Sequence, residues 1–286
     1  MKIAIMTDEN SGISQQEAKE YGVYVLKMPV IIDGEEYFED VNLTHEEFYK
    51  ALTTGRDVTT SMPSPGDVMD TWDELLKTND QVVYIPMSSG LSSSCASATA
   101  LSDEYDGKVQ VVDNHRISVT LRQSVLDAKK LADDGKNAKE IKNILEEKAY
   151  EASIYITVNT LEFLVKSGRV TPAGAALGSV LNIKPILTIQ GAKLDAYAKV
   201  MGMAKSESKM IEAIRKDIKE RFADVPKENL RIAAVSSLTD EERLNRWTET
   251  VAKAFEDYDV FYDHLSLSIG SHVGPDSVAV AVSVVL

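Results

Sequence analysis

The chain is poor in the residue types that most often advertise chemistry: 286 residues include one cysteine and four histidines. A lone thiol, Cys95, excludes an internal disulfide and any multi-cysteine metal site. Basic residues are also scarce, 31 against 45 acidic ones, a formal charge of −14. That balance argues against nucleic acid or an anionic membrane surface as partner. An anionic ligand would have to be held by local groups, because the overall field repels it. No apolar run approaches the roughly 18 residues of a membrane span. The opening MKIAIMTDENSG reaches an acidic turn after four apolar residues, so it reads as a strand and not as a signal peptide. These features together predict a cytoplasmic protein.

The standard catalytic signatures are missing too. There is no G-x-x-x-x-G-K-[ST] phosphate loop and no G-x-G-x-x-G. His45 is followed by two glutamates but by no second histidine, so H-E-x-x-H fails, and no spacing suggests a metal site. Gly90-Leu91-Ser92-Ser93-Ser94 is not a G-x-S-x-G elbow. No catalytic residue, cofactor or metal is expected from these tests.

What is present is a soluble globular composition, 44% hydrophobic and 27% charged. The length fits two domains. Over residues 1–152 strands alternate with helices, which predicts an N-terminal α/β domain with a parallel sheet. The opening strand Lys2–Met6 leads to a polar turn, and Ser14 with Glu17 forms a capping box that starts a helix. Asp33-Gly34 marks a hairpin turn, and Thr44 with Glu47 opens a second helix. In Asp57 to Asp67, Pro63 and Pro65 forbid regular structure, while Thr59, Thr60, Ser61 and Ser64 line the turn with hydroxyls. Helices follow at GDVMDTWDELLK, at His115–Leu131 and at Ala138–Ala149. Residues 153–286 have a different rhythm, which predicts a C-terminal α+β domain with a mixed or antiparallel sheet. There Pro172 starts a helix PAGAALGSVLN, and Gly191-Ala192-Lys193 is a hairpin signal. Val260 to Ile269 reads as extended, and Gly270 to Pro275 as a tight loop carrying His272.

The stretch Gln81 to Ser94, QVVYIPMSSGLSSS, stands at the centre of the first half. An apolar strand breaks into a serine-rich turn and then a helix, an order that aims free backbone N–H groups at one point and attracts an anion. In parallel sheets ligands sit at the carboxyl ends of the strands. Thr60, Ser92 and His272 all fall in turns between elements, and two hydroxyls plus an imidazole suit the oxygens of a carboxylate. Each has a plainer reading: Thr60 stabilises the proline turn, Ser92 caps the helix, and His272 is a structural loop residue. A Ser92–His272–Asp8 triad would make a serine-type acyl hydrolase. A third alternative is a binding module for another anionic small molecule, such as a phosphorylated one.

Taken in order, several stretches together resemble the DegV family. They are TSMPSPGD at Thr60–Asp67, SSGLS at Ser88–Ser92, LEFLVKSGRV at Leu161–Val170 and HVGP at His272–Pro275. The opening Thr7-Asp8 and the strand end Val111-Val112-Asp113 fit as well. The resemblance covers the whole chain. It implies the EDD fold, with two α/β-type domains, a long-chain fatty acid held between them and no reaction of the protein's own. It also implies that Thr60, Ser92 and His272 hold the carboxylate, with Ser61, Ser89 and Gly90 completing the binding set. The better-understood members of the family act with a separate bacterial fatty acid kinase, which phosphorylates the bound acid for phospholipid synthesis, and the resemblance implies such a partner here. Arg169, in the SGR motif, is then a kinase-docking residue; its plainer reading is a surface arginine. The chain departs from the family pattern at four places. Val200-Met201-Gly202-Met203 replaces a V-R-x-R-like stretch, and the serine turn ends SSS in place of SGT. The opening turn is TDEN in place of TDS, and HVGPD replaces HxGPG.

Burying a methylene is worth about 0.8 kcal/mol, so a 16-carbon chain would contribute on the order of 12 kcal/mol gross. The acyl tunnel is thus expected to set affinity and the polar groups to set orientation. Ala173, Gly174, Ala175, Ala176 and Gly178 form a small-residue stripe that suits either close helix packing or room for a chain.

Overall fold

The structure is a computed structural model that describes residues 1–177, 183–189 and 193–286. Up to Tyr150 the order is β1 (Ile3–Asp8), α1 (Gln15–Tyr21), β2 (Tyr24–Leu26), β3 (Val30–Ile32), β4 (Glu35–Tyr37), α2 (His45–Thr53), β5 (Val58–Thr60), α3 (Pro65–Leu76), β6 (Gln81–Ile85), α4 (Ser94–Ser102), β7 (Val109–Val111), α5 (Ser118–Asp133) and α6 (Ala138–Glu147). Then follow β8 (Ala152–Thr157), α7 (Glu162–Ser167), α8 (Pro172–Ala175), β9 (Ile183–Ile189), β10 (Asp195–Met201), α9 (Met203–Glu220), β11 (Leu230–Ser236), α10 (Glu241–Ala254), β12 (Asp259–His264), α11 (Leu267–Val273) and β13 (Val278–Val284). The chain divides into two compact units, Met1–Leu43 with Thr59–Tyr150, and Thr44–Val58 with Glu151–Leu286. Helix α2 therefore belongs with the later residues although it lies early in the chain.

The first unit is built on a parallel sheet of order β2-β1-β6-β7. Its central strands are covered on both faces, which is why IAIM and VVYI are continuous apolar runs and not alternating ones. Met6, Val82 and Tyr84 pack with Trp72 and Leu75 of α3 and Cys95 of α4. Trp72 is fully buried and meets Tyr84 and Tyr105 edge-on, at centroid distances of 6.0 and 5.3 Å. Ser14 caps α1, with the reciprocal Glu17 bond in place. Asp33 (φ 53°) and Gly34 (φ 88°) turn β3 back onto β4, the left-handed pair that a two-residue hairpin requires. Strand β5 joins this hairpin in a three-stranded sheet. That corrects the expectation of no regular structure across 57–67: the prolines restrict only the residues from 62 on, and the extended backbone before them is free to pair. Helix α5 begins at Ser118 and not at His115, because Asn114, His115 and Arg116 form a hydrogen-bonded loop and the backbone is left-handed at His115 and again at Ser118 (φ 57° and 54°).

The second unit holds a six-stranded sheet of order β10-β9-β8-β13-β11-β12, in which only β11 and β12 run parallel. All seven residues of β13 are buried. Trp247 of α10 is fully buried with Met210 and Ile214 of α9 against Ile232 and Val280, and its indole N–H donates to the Val235 carbonyl at 3.2 Å. Thr44 and Glu47 cap α2 as expected.

The expected extended run to Ile269 stops at His264, and the expected loop around His272 is largely helix α11. The Ser266 hydroxyl accepts from the Ile269 N–H at 3.4 Å and starts that helix. Gly270 is there for packing and not for a turn: a Cβ would stand 2.6 Å from the Tyr49 hydroxyl and 3.3 Å from Phe48 Cε1, both on α2. Helix α8 covers Pro172–Ala175, and the rest of the expected PAGAALGSVLN helix from Gly178 on lies outside the described residues. Gly191 and Ala192 of the expected hairpin turn lie outside them as well, between antiparallel β9 and β10.

Candidate functional site

Two loops leave the carboxyl ends of the central parallel strands β1 and β6 in the first unit. The β1 end places Asp8, fully buried, as an acceptor for the Met87 N–H (2.9 Å), the Asn10 N–H (2.9 Å) and the Asn10 side-chain amide (2.9 Å). Burial pushes the Asp8 carboxyl up, and these three donors pull against it. The β6 end is the serine turn. Ser88 is buried and organises it: its carbonyl accepts from Leu91 N–H (3.0 Å) and Ser92 N–H (3.2 Å), and its hydroxyl from Gly90 N–H (3.3 Å). The Ser92 hydroxyl accepts from Ser94 N–H at 3.1 Å. The N–H groups of Ser88, Ser89, Gly90, Leu91, Ser92 and Ser94 are therefore spent on protein acceptors, four of them within the turn, against the expectation that they point free at one ligand. Serine hydroxyls and carbonyls are acceptors close at hand, and they capture these donors first. The first turn of α4 is different, since its N-cap Ser93 makes no side-chain cap bond.

The proline turn adjoins the serine turn. Thr60 ends β5 half-buried, and Ser61 is exposed, its N–H on the Pro29 carbonyl at 3.2 Å and its hydroxyl on the Met62 carbonyl at 3.0 Å. Met62 Sδ accepts from the Ser93 hydroxyl at 3.6 Å, which ties the two turns together. Ser64 is not part of this surface, because it caps α3 with Asp67. Thus Thr60, Ser61, Ser89, Gly90 and Ser92 lie in two adjoining turns of one unit, with Ser89 exposed and Gly90 and Ser92 half-buried.

His272 and Arg169 belong to the second unit, and the structure brings them near each other. His272 lies in the last turn of α11, half-buried. Gly274, after it, has φ 76° and ψ 178°, a conformation open to glycine almost alone. A Cβ there would stand 2.5 Å from Phe163 Cδ2. The HVGP and LEFL motifs are thus two sides of one packing contact. Burial pushes the His272 imidazole down to about 4, and the Arg169 charge adds to the effect. The ring is neutral at pH 7, with one N–H donor and one lone pair. Arg169 follows the left-handed Gly168 that closes α7, and its guanidinium donates to the Ser167 carbonyl. Met201, within the stretch that departs from the family pattern, is 62% exposed at the end of β10.

The Asp8 arm of a hydrolytic triad is not assembled, since the partners of that carboxylate are Asn10 and Met87 and no imidazole. Among the described residues no group of three or more His, Cys, Asp or Glu is arranged to hold a metal ion. Among them, too, no helix is long and apolar enough to cross a membrane. Asp113 and His115 stand beside the serine turn; the sequence marked Asp113 only as the end of the Val111-Val112-Asp113 strand that fits the family resemblance and His115 only as a helix start, and tied neither to the serine turn.

A family model described as "Uncharacterised protein, DegV family" matches residues 2–284. A DegV domain-containing protein of Deinococcus radiodurans is 30% identical over 284 residues, 98% of each chain. Among solved structures, a DegV family protein from Thermus thermophilus, described for its fatty acid binding, superposes with a TM-score of 0.89 at 28% identity over 100% of both chains. DegV from Bacillus subtilis, a fatty acid binding protein, gives 0.86 at 25% identity over 99% of both.

Proposed function

The chain belongs to the DegV family, and we propose that it binds a long-chain fatty acid and carries it without a reaction of its own. The observation that carries this reading is the whole-length likeness to two relatives that bind fatty acids. In this reading the hydroxyls of Thr60 and Ser92 and the imidazole of His272 hold the carboxylate, with Ser61, Ser89 and Gly90 around them. The chemistry supports that assignment. A neutral imidazole donates one N–H to a carboxylate without needing an ion pair. The incoming negative charge then offsets Arg169 and raises the affinity of His272 for a proton. The acyl chain supplies most of the binding free energy through burial.

Native mass spectrometry followed by denaturing extraction tests the ligand. A co-purified mass of a long-chain fatty acid is expected, and a protein that stays empty even with added palmitate refutes the reading. Thr60→Ala, Ser92→Ala and His272→Ala are each expected to weaken palmitate binding while the fold remains. Unchanged affinity in all three would sink the head-group assignment.

A finer part of the proposal is that the bound acid is presented to a separate kinase that forms the acyl phosphate, with Arg169 on the docking surface. Arg169 is half-buried beside His272, close to the proposed carboxylate. In a reconstitution with a bacterial fatty acid kinase, Arg169→Ala should slow acyl phosphate formation more than it weakens palmitate binding. Equal rates for the variant and the parent would remove Arg169 from that role.

A further inference from the structure

One cluster beside the serine turn is used by nothing described so far. Asp113 follows β7, and its Oδ1 atom accepts from the Ser89 N–H at 3.3 Å and from the His115 N–H at 3.4 Å. The same oxygen stands 3.5 Å from His115 Nδ1. That nitrogen is shut off from solvent and makes no hydrogen bond. One carboxylate oxygen therefore faces three nitrogens, and all three contacts are long for N–H···O bonds. A rigid frame holds it there. The Arg116 guanidinium donates to the carbonyls of Lys148 (2.6 Å) and Ala149 (3.1 Å) and to the Ser124 hydroxyl (3.2 Å). The Asn114 amide donates to Ser124 Oγ at 2.6 Å, and the Arg116 carbonyl accepts from Ser88 N–H at 2.9 Å. His115 is fixed from its other side, stacked on Tyr150 at 5.7 Å and 18°. Its left-handed backbone persists because these contacts over-determine it.

We propose that Asp113 is a positioning residue for the serine turn, holding Ser89 through an oxygen that it shares with His115. Ser88 is pinned to the frame by a backbone bond that no titration alters. Ser89 is pinned by an anion whose attention is divided. When His115 gains a proton at Nδ1, the imidazolium and the carboxylate draw together, and the Ser89 bond weakens. The other charged and titratable groups around the pair are Glu146, which accepts from Asp113 N–H at 3.1 Å, Lys142, paired with Glu146, and Cys95, together with Tyr150. The effect on a ligand rests on the fatty-acid reading; the hold on the turn does not.

The test uses the full chain and two readouts. In ligand-free protein, the Ser89 amide and the His115 ring protons are followed by NMR from about pH 8 to about pH 5. The Ser89 resonance should move with the His115 midpoint in the parent protein and stand still in His115→Gln and Asp113→Ala. A Ser89 amide that ignores the His115 midpoint, or that still follows it in Asp113→Ala, overturns the proposal. The second readout is palmitate affinity. Asp113→Ala should weaken it by on the order of tenfold, the cost of about one hydrogen bond. Asp113→Asn keeps an acceptor oxygen and should recover most of that loss. Equal affinity in all forms overturns the positioning role. If the parent protein takes up no palmitate, the fatty-acid reading fails, and the ligand-free titration still decides whether Asp113 holds the turn.

Discussion

The serine turn and the turn around His272 are held in opposite ways. The first is a mesh of hydrogen bonds on Ser88, Ser92 and Asp113, with exposed Ser89 at its edge. The second is a packed joint, in which Gly270 meets α2 and Gly274 meets Phe163 with no room for a methyl group. A mesh of many modest bonds fails by degrees, because losing one leaves the others. A packed joint fails at once, because a single atom has nowhere to go.

Gly274→Ala is the strongest test of that contrast. The added Cβ clashes with Phe163, and the backbone sits where only glycine is comfortable. The second unit should lose about 3 kcal/mol in urea unfolding, with much of it remaining in a Phe163→Ala background because the backbone strain persists. Next comes His272 and pH. Its folded pKa is near 4, below the ordinary 6.5, so between those values the unfolded chain holds the extra proton. Stability should therefore fall as pH drops from 6.5 towards 4, by at most about 1.4 kcal/mol per pH unit and by less than that for a half-buried ring. His272→Gln should remove this slope; identical pH profiles for the two proteins would refute it. The smallest effect is expected on the mesh. Ser92→Ala opens one partly exposed helix-start N–H and should cost about 1 kcal/mol or less, measured by the same unfolding. A loss as large as that of Gly274→Ala would erase the distinction between the two turns.

Features legible in the sequence were those whose two halves are neighbours in it. The capping boxes at Ser14 and Thr44 and the Asp33-Gly34 turn need only residues within four positions, and all formed as expected. The alternation of strand and helix likewise announced the parallel sheet. Helix α11 was hidden because Gly270 and Gly274 look like two loop glycines. One of them is a notch for Tyr49, more than 200 residues away, and that notch exists only once the chain is folded. The Asp113 brace was hidden for the same reason, since Ser89 and Asp113 are 24 residues apart and neither belongs to a motif with the other. Thr60, Ser92 and His272 were singled out by turn chemistry and, as a set, by the family resemblance. Their local settings, a strand end, a helix-start acceptor and a helix terminus, each read plainly as structure.

The allegiance of α2 has a consequence for biosynthesis. This helix emerges roughly two hundred residues ahead of α11, on which its Phe48 and Tyr49 rest, while the chain returns to complete the first unit. On the ribosome the first unit can close around a looped-out amphipathic helix that has nothing yet to cover it. A fragment ending at Tyr150 would hold Phe48 and Tyr49 without the α11 surface they pack on, so the N-terminal half is a poor candidate for separate expression unless residues 44–58 are replaced by a short polar linker.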